Sequence, residues 1–221
     1  MSYTANTFPF DVRPHDGSWL EALPESLYYE AAYPRDGTRE LTFWPWVADA
    51  SERPGVDLAV SNVRLLPHPP GALAADPKAK PAYYGLPSPQ RFLAIGLAVR
   101  PVYHGDRWAE AERAVKTLRA LGTFRFFVGT KPYADGPLDQ VLGWRGDPSR
   151  EAANLDEFWP LVVTLLTKDG RKEELVSKAS PLTIPSEQVF RLEVRFPEPL
   201  RFAEDVRLRA YVVGCRLREV A

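Results

Sequence analysis

Along residues 189–196 the chain alternates without a break: Phe190, Leu192, Val194 and Phe196 fall on one side, Arg191, Glu193 and Arg195 on the other. A period of two sends successive side chains to opposite faces of an extended strand, so this stretch reads as a half-buried, antiparallel strand. Residues 206–217 begin the same way, with Val206, Leu208, Ala210 and Val212 set against Arg207 and Arg209. Beyond Gly214 the apolar Cys215 and Leu217 have changed parity, which predicts a β-bulge or sharp twist near Gly214.

Further strands are expected at 41–47, 56–66, 91–103, 123–128 and 161–167, each rich in β-branched, aromatic or leucine residues and bounded by Pro, Gly or Asp. Segment 91–103 is apolar on both faces and should be central. Lys168, Asp169 and Gly170 have the chemistry of a hairpin turn. One helix is expected over 106–121, where Trp108, Ala111, Val115 and Leu118 recur at helical spacing, Asp106 can cap the start and Gly122 the end. Being amphipathic, it should cover the sheets from outside.

Two proline-studded segments, 67–89 and 129–160, lack periodicity and read as long loops, which in compact domains are functional or disordered. Tyr83, Tyr84 and Leu86 in the first, and Tyr133, Leu138, Val141 and Trp144 in the second, are bulkier than disordered linkers carry. Both loops are therefore expected to order against the sandwich or a neighbouring subunit. Residues 1–40 read as an extended arm anchored by Phe8, Phe10, Trp19, Tyr28 and Tyr29. No repeat or linker divides the chain, so 1–221 is read as one all-β domain, an antiparallel β-sandwich with one covering helix.

With 45% hydrophobic and 12% aromatic residues, 221 residues can fill a core without staples. A net charge of −1 offers no field to hold a polyanion, which argues against general or sequence-specific nucleic-acid binding. No run approaches the ~20 apolar residues of a membrane span. The N-terminal stretch lacks both a basic start and an apolar core, so the expected place is a cytoplasm or the interior of something larger. Arg greatly outnumbers Lys. That bias suits a thermophilic host and equally a GC-rich genome.

Chemistry is sparse. The single Cys215 lies in the apolar run AYVVGCRL and reads as a small buried hydrophobe. Of three histidines, His104 could be oriented by Asp106 across a turn, but no Ser or Cys occupies a nucleophile context, and a turn histidine beside a helix cap is the better reading. Metal-ligand spacings and a phosphate-binding glycine loop are absent from the sequence. Pairs such as Asp156 with Glu157 are expected among 29 acidic residues and read as solvated faces. The expectation is no catalysis, no cofactor and no metal. In LTFWPWV, Trp44 and Trp46 would share one side of an extended segment and could stack on sugar rings, the basis of an alternative reading as a carbohydrate-binding β-sandwich. Burial under the loops or at a subunit contact is the simpler expectation for both.

The C-terminal third carries a resemblance. Leu182, Ile184 and Pro185, then Phe190, Leu192 and Val194, then Leu208, Tyr211, Val213, Gly214 and Arg218, together with FRFFVGTKPYADGPLDQV, resemble small jelly-roll capsid proteins of tailless icosahedral bacteriophages. The likeness covers about half the chain. It implies an eight-stranded jelly roll that catalyses nothing, assembles in a host cytoplasm, resides in the virion, and grips copies of itself and other capsid proteins with arm and loops. Peripheral contact with an internal membrane is compatible with it. Phe8, Phe10, Tyr83, Tyr84, Leu86, Leu138 and Trp144 are then the candidate subunit-interface residues.

Overall fold

The alternating segments do fold as strands, in a computed structural model that describes residues 20–47, 60–67, 82–102, 108–142, 159–168 and 175–219. In chain order the elements are β1 (Leu20–Tyr33), β2 (Glu40–Phe43), β3 (Arg64–Pro67), β4 (Ala82–Gly85), β5 (Arg91–Pro101), α1 (Trp108–Leu121), β6 (Thr123–Val128), β7 (Lys131–Pro137), β8 (Trp159–Pro160), β9 (Val162–Lys168), β10 (Leu175–Ile184), β11 (Phe190–Arg195) and β12 (Val206–Glu219). One sheet runs β1-β12-β5-β10-β9, with β8 also on β5; a second runs β2-β11-β6-β7; β3 and β4 form a small ribbon. Every pairing between these strands is antiparallel. The mainly β, sandwich-like class expected from the sequence is present.

Eight strands pair as a nested set: β1 with β12, β2 with β11, β5 with β10, and β6 with β7. The first meets the last, the second the second to last, and so on inward, as when one long hairpin is folded over on itself. The pairs alternate between the two large sheets, and their apolar sides share one core containing Leu27 and Tyr33 of β1, Phe92 of β5, Phe126 of β6, Phe190 of β11 and Leu208 of β12. Each such side chain contributes about 1.5–3 kcal/mol on burial. As expected, β5 is central, lying between β12 and β10.

The predicted irregularity at Gly214 is there. Val213 pairs with Gly96 but Gly214 pairs with Ala94, so the extra residue is Ile95 of β5, while the β1–β12 register runs through unbroken. Beyond this point Cys215 and Leu217 are buried on the opposite face of β12 from Ala210 and Val212. The change of parity is thus a change of which face is buried.

Three expectations need correction. Residues 20–33 are not part of an arm; they form the 14-residue strand β1, paired along its whole length with β12. The segment 67–89 is not wholly a loop, because Val47 and Ala82 form a bridge that continues into β4. In 129–160, β7 is the edge strand of the second sheet, followed by a 3-10 turn at Leu138–Gln140. Its prolines, Pro132 and Pro137, suit an edge, where a missing N–H costs no ladder bond. The helix is described from Trp108, so Asp106 and its capping role lie outside the described residues, as do His15, His68 and His104.

Candidate functional site

The registers divide the sandwich into two ends. Tyr33 pairs with Val206, Leu208 with Pro101, and Arg195 with both Glu40 and Thr123, which gathers the β1–β2 turn, α1 and the β11–β12 loop at one end. Ile184 pairs with Phe92 and Phe190 with Val128, which puts turns 185–189 and 129–130 at the other.

At the first end α1 buries Ala114, Val115 and Leu118, while Glu112 and Lys116 pair at 2.8 Å on its outer side. It stops at Gly122, where a Cβ would come within 2.6 Å of the Leu138 side chain and 2.8 Å of the Leu118 carbonyl oxygen. Close packing, not a left-handed turn, requires glycine there. The facing β11–β12 loop is held by Tyr33, fully buried, whose hydroxyl accepts from the Leu200 N–H at 2.8 Å and donates to the Thr38 carbonyl at 2.8 Å. Gly37, at φ 89, lies so near that a Cβ would meet the Leu200 carbonyl oxygen at 2.8 Å. The Phe202 ring packs 5.6 Å from Tyr33.

Between helix and loop lies a cleft of about 770 Å³. Its apolar lining includes Val102, Ala114, Leu200 and Phe202, and Arg113 and Arg201 stand exposed at its rim. Asp205, also on the lining, accepts from the Arg35 backbone N–H at 2.8 Å. Arg207 reaches Glu30 at 3.7 Å, and Arg209 donates to the same carboxylate at 2.8 Å. Burial works against the Arg209 charge, but its hydrogen bonds to Glu30 and Tyr211 outweigh it and raise the pKa.

At the second end Trp46 is 50% exposed, its ring centroid 6.2 Å from that of Tyr83. The Tyr83 hydroxyl donates to the Glu187 carbonyl at 2.9 Å, and the Glu187 N–H donates to the Leu86 carbonyl at 2.7 Å. Glu187 sits at φ 59 with its side chain exposed. Burial, and after it the Glu187 carboxylate, push the Tyr83 phenol above its ordinary range. Burial alone raises the Cys215 thiol, in keeping with the inert hydrophobe read from the sequence.

On the outer face of the second sheet, Glu193 is nearly buried between two arginines, accepting from Arg191 at 2.7 Å and Arg195 at 3.1 Å. Arg191 also lies over the Phe127 ring at 4.1 Å.

No protein-family model matches the sequence. No curated protein and no solved structure matches it either. Among the described residues no group of His, Cys, Asp and Glu could hold a metal, and no helix is long and apolar enough to cross a membrane.

Four of the seven interface candidates are absorbed by the chain itself. Tyr83, Tyr84, Leu86 and Leu138 are buried in its own interior, with Tyr84 edge-on to Tyr29 at 5.0 Å, so they are not available to grip a neighbour. Phe8, Phe10 and Trp144 lie outside the described residues. The two-tryptophan platform is overturned as well: β2 ends at Phe43, Trp44 turns to φ 54, and its ring is 1% exposed against Phe190 and Tyr29. Trp46 alone stays accessible. Sequence reasoning missed Arg113, Arg201, Phe202 and Glu187. The irregular run PLRFAEDVR between two clear strands was the only signal pointing to the second and third.

Proposed function

We propose that this chain is a structural subunit of a virus shell, a jelly roll that tiles with copies of itself and with other capsid proteins. The nested pairing of eight strands across two sheets carries the reading, because a jelly roll consists of eight strands in two Greek keys laid out as a double sheet. The resemblance of the C-terminal strands to small phage capsid proteins supports it independently of the pairing. On this reading the chain assembles in a host cytoplasm, resides in the virion, meets membranes at most peripherally, reads no nucleic-acid sequence and catalyses nothing. Its working parts are surfaces.

The carbohydrate-binding alternative has less support, since with Trp44 buried a single ring, Trp46, is left to stack on a sugar. Light scattering on the purified full chain at rising concentration, with negative-stain electron microscopy of the same samples, tests the shell reading. Rings, sheets or closed shells are the expected result. A monomer at every concentration, salt and temperature would sink it.

A further inference from the structure

We propose that two copies of this chain join edge to edge through β9, each copy's Val162–Lys168 pairing antiparallel with the same strand of the other about a two-fold axis at Leu165. This deepens the shell reading by naming one subunit contact, and it rests on the self-association which that reading requires.

A strand at the end of a sheet presents a row of backbone N–H and C=O groups that another strand can take up, and proteins blunt such rows with prolines, charges, short length or a covering segment. Three of the four edges of the two large sheets are blunted in these ways. In β7, Pro132 and Pro137 remove donors, and Lys131 and Asp135 add charge. At the opposite edge of that sheet, β2 is four residues long. Strand β1 contains Pro24 and is covered farther along: Glu30 donates its N–H to the Val60 carbonyl at 2.7 Å, Tyr28 donates its N–H to Asn62 Oδ1 at 2.8 Å, and Tyr29 bridges to Ser61. The fourth edge is β9, which among the described residues pairs with β10 alone, from Val162 opposite Pro181 to Lys168 opposite Leu175. Its run VVTLLT holds no charge, proline or glycine and is rich in strand-forming residues, the composition that pairs readily at an open edge.

The sequence of β9 selects a second β9 as the occupant. An axis at Leu165 pairs the whole strand: Val162 with Lys168, Val163 with Thr167, Thr164 with Leu166, and Leu165 with its own counterpart. Paired residues share a face, so Val163, Leu165 and Thr167 of both copies lie on one side of the joint, and nowhere in it do like charges stand opposite each other. By strand geometry the two Lys168 positions are ~20 Å apart, and the two Lys178 positions, on β10 opposite Leu165, ~14 Å apart, all beyond the ~8 Å Debye length of physiological salt. The other described edges suit less well, since the prolines of β7 interrupt the ladder and the four-residue β2 would leave part of the row unpaired. Because both copies use the same patch, the contact is isologous and closes as a dimer, extending the β1-β12-β5-β10-β9 sheet across two subunits.

Cross-linking of the full chain tests this. The native thiol, Cys215, is buried, and Cys215→Ala removes it. In that background Leu165→Cys sets two thiols opposite each other at the axis, within disulfide reach, whereas Val162→Cys sets them at opposite ends of the joint. Under mild oxidation, disulfide-linked dimers on a non-reducing gel should form at least tenfold faster with Leu165→Cys. Charges test the register. Val163→Lys with Thr167→Lys places like charges opposite each other and should raise the concentration needed for association at least tenfold, by light scattering. Val163→Glu with Thr167→Lys places opposite charges there and should restore association. Thermal melts check that these variants fold, and if one melts early the cross-linking rates decide. Equal cross-linking rates, or a folded double-lysine variant that associates at the wild-type concentration, would overturn the contact while leaving the shell reading intact. A wild-type chain that never associates overturns both.

Discussion

Gly214 of β12 passes so close to Leu93 of β5 that a methyl group at its Cα would overlap the Leu93 carbonyl oxygen, with the Phe92 ring only 2.8 Å away. The obstruction is backbone, which cannot swing aside as a flexible side chain can. Here the first sheet absorbs its extra residue, Ile95, between two strands that otherwise pair in step. Gly214→Ala should therefore cost at least the ~1–3 kcal/mol usual for overpacking a tight interior. Urea unfolding followed by tryptophan fluorescence should show a lower midpoint at an unchanged slope. A midpoint equal to wild type would mean that the two strands can part there at little cost.

Glu193 offers a second test on the outer face of the other sheet. Its carboxylate holds both Arg191 and Arg195, and Arg195 also reaches Glu40 at 3.6 Å. Glu193→Ala leaves Arg191 and Arg195 each with one partner fewer and strips two charge-assisted hydrogen bonds. The expected loss is ~1–3 kcal/mol, discounted toward the lower figure because Arg195 is more than half exposed. Glu193→Gln should lose less, since one amide oxygen can still accept. Equal stability of all three proteins in low salt would contradict this account.

Alkaline stability follows from two raised groups. Burial lifts the Cys215 thiol above its ordinary 9.0, and burial together with Glu187 lifts the Tyr83 phenol above its ordinary 10.0. Both groups keep their protons in the folded chain at pH values where the unfolded chain has released them. Unfolding then liberates protons, so stability falls as pH rises. Their contribution is fully present below pH 9 and is lost as pH climbs through the folded values. Melting temperatures should hardly respond to these groups between pH 6 and 8 and should decline beyond 9, less steeply in Cys215→Ala. A decline of the same steepness in that variant would remove the thiol from the explanation.

Much of this architecture was legible because strand period is a local property. Phe190, Leu192 and Val194 announce β11 by alternation alone, 123–128 coincides with β6, and the parity change at Gly214 marked the bulge. What escaped depends on distant partners. In β1 the sequence LEALPESLYYEAAY has a proline and no clean alternation, and only its 14-residue pairing with β12 makes it a strand. In β7 two prolines and a glycine look like a loop until the bonding edge of β6 is in place beside them. The site was less legible still. Arg113 belongs to a helix and Arg201 to a loop almost ninety residues later, and no periodicity links them; their meeting is a consequence of the nested pairing. Trp44 and Trp46 misled for the converse reason, because a left-handed turn at one residue separates two rings that an extended chain would have aligned.

The cleft itself depends on a single phenol. The Tyr33 hydroxyl receives the N–H groups of Leu200 and Thr38, at 2.8 and 3.1 Å, and donates to the Thr38 carbonyl, tying the β1–β2 turn to the wall of the cleft. Tyr33→Phe keeps the ring and its edge-on contact with Phe196 at 5.0 Å, so the core should remain filled. Only the three hydrogen bonds go. With two backbone donors left to find water, the cost should be ~1–3 kcal/mol. The loss should be concentrated where the bonds were, so amide exchange at Leu200 should accelerate far more than at Leu192 in the core strand β11. If exchange rises equally at both, the phenol supports the whole sandwich and not the loop. If Leu200 alone loosens, the phenol holds the β11–β12 loop in place while the packed core of the sandwich stands without it.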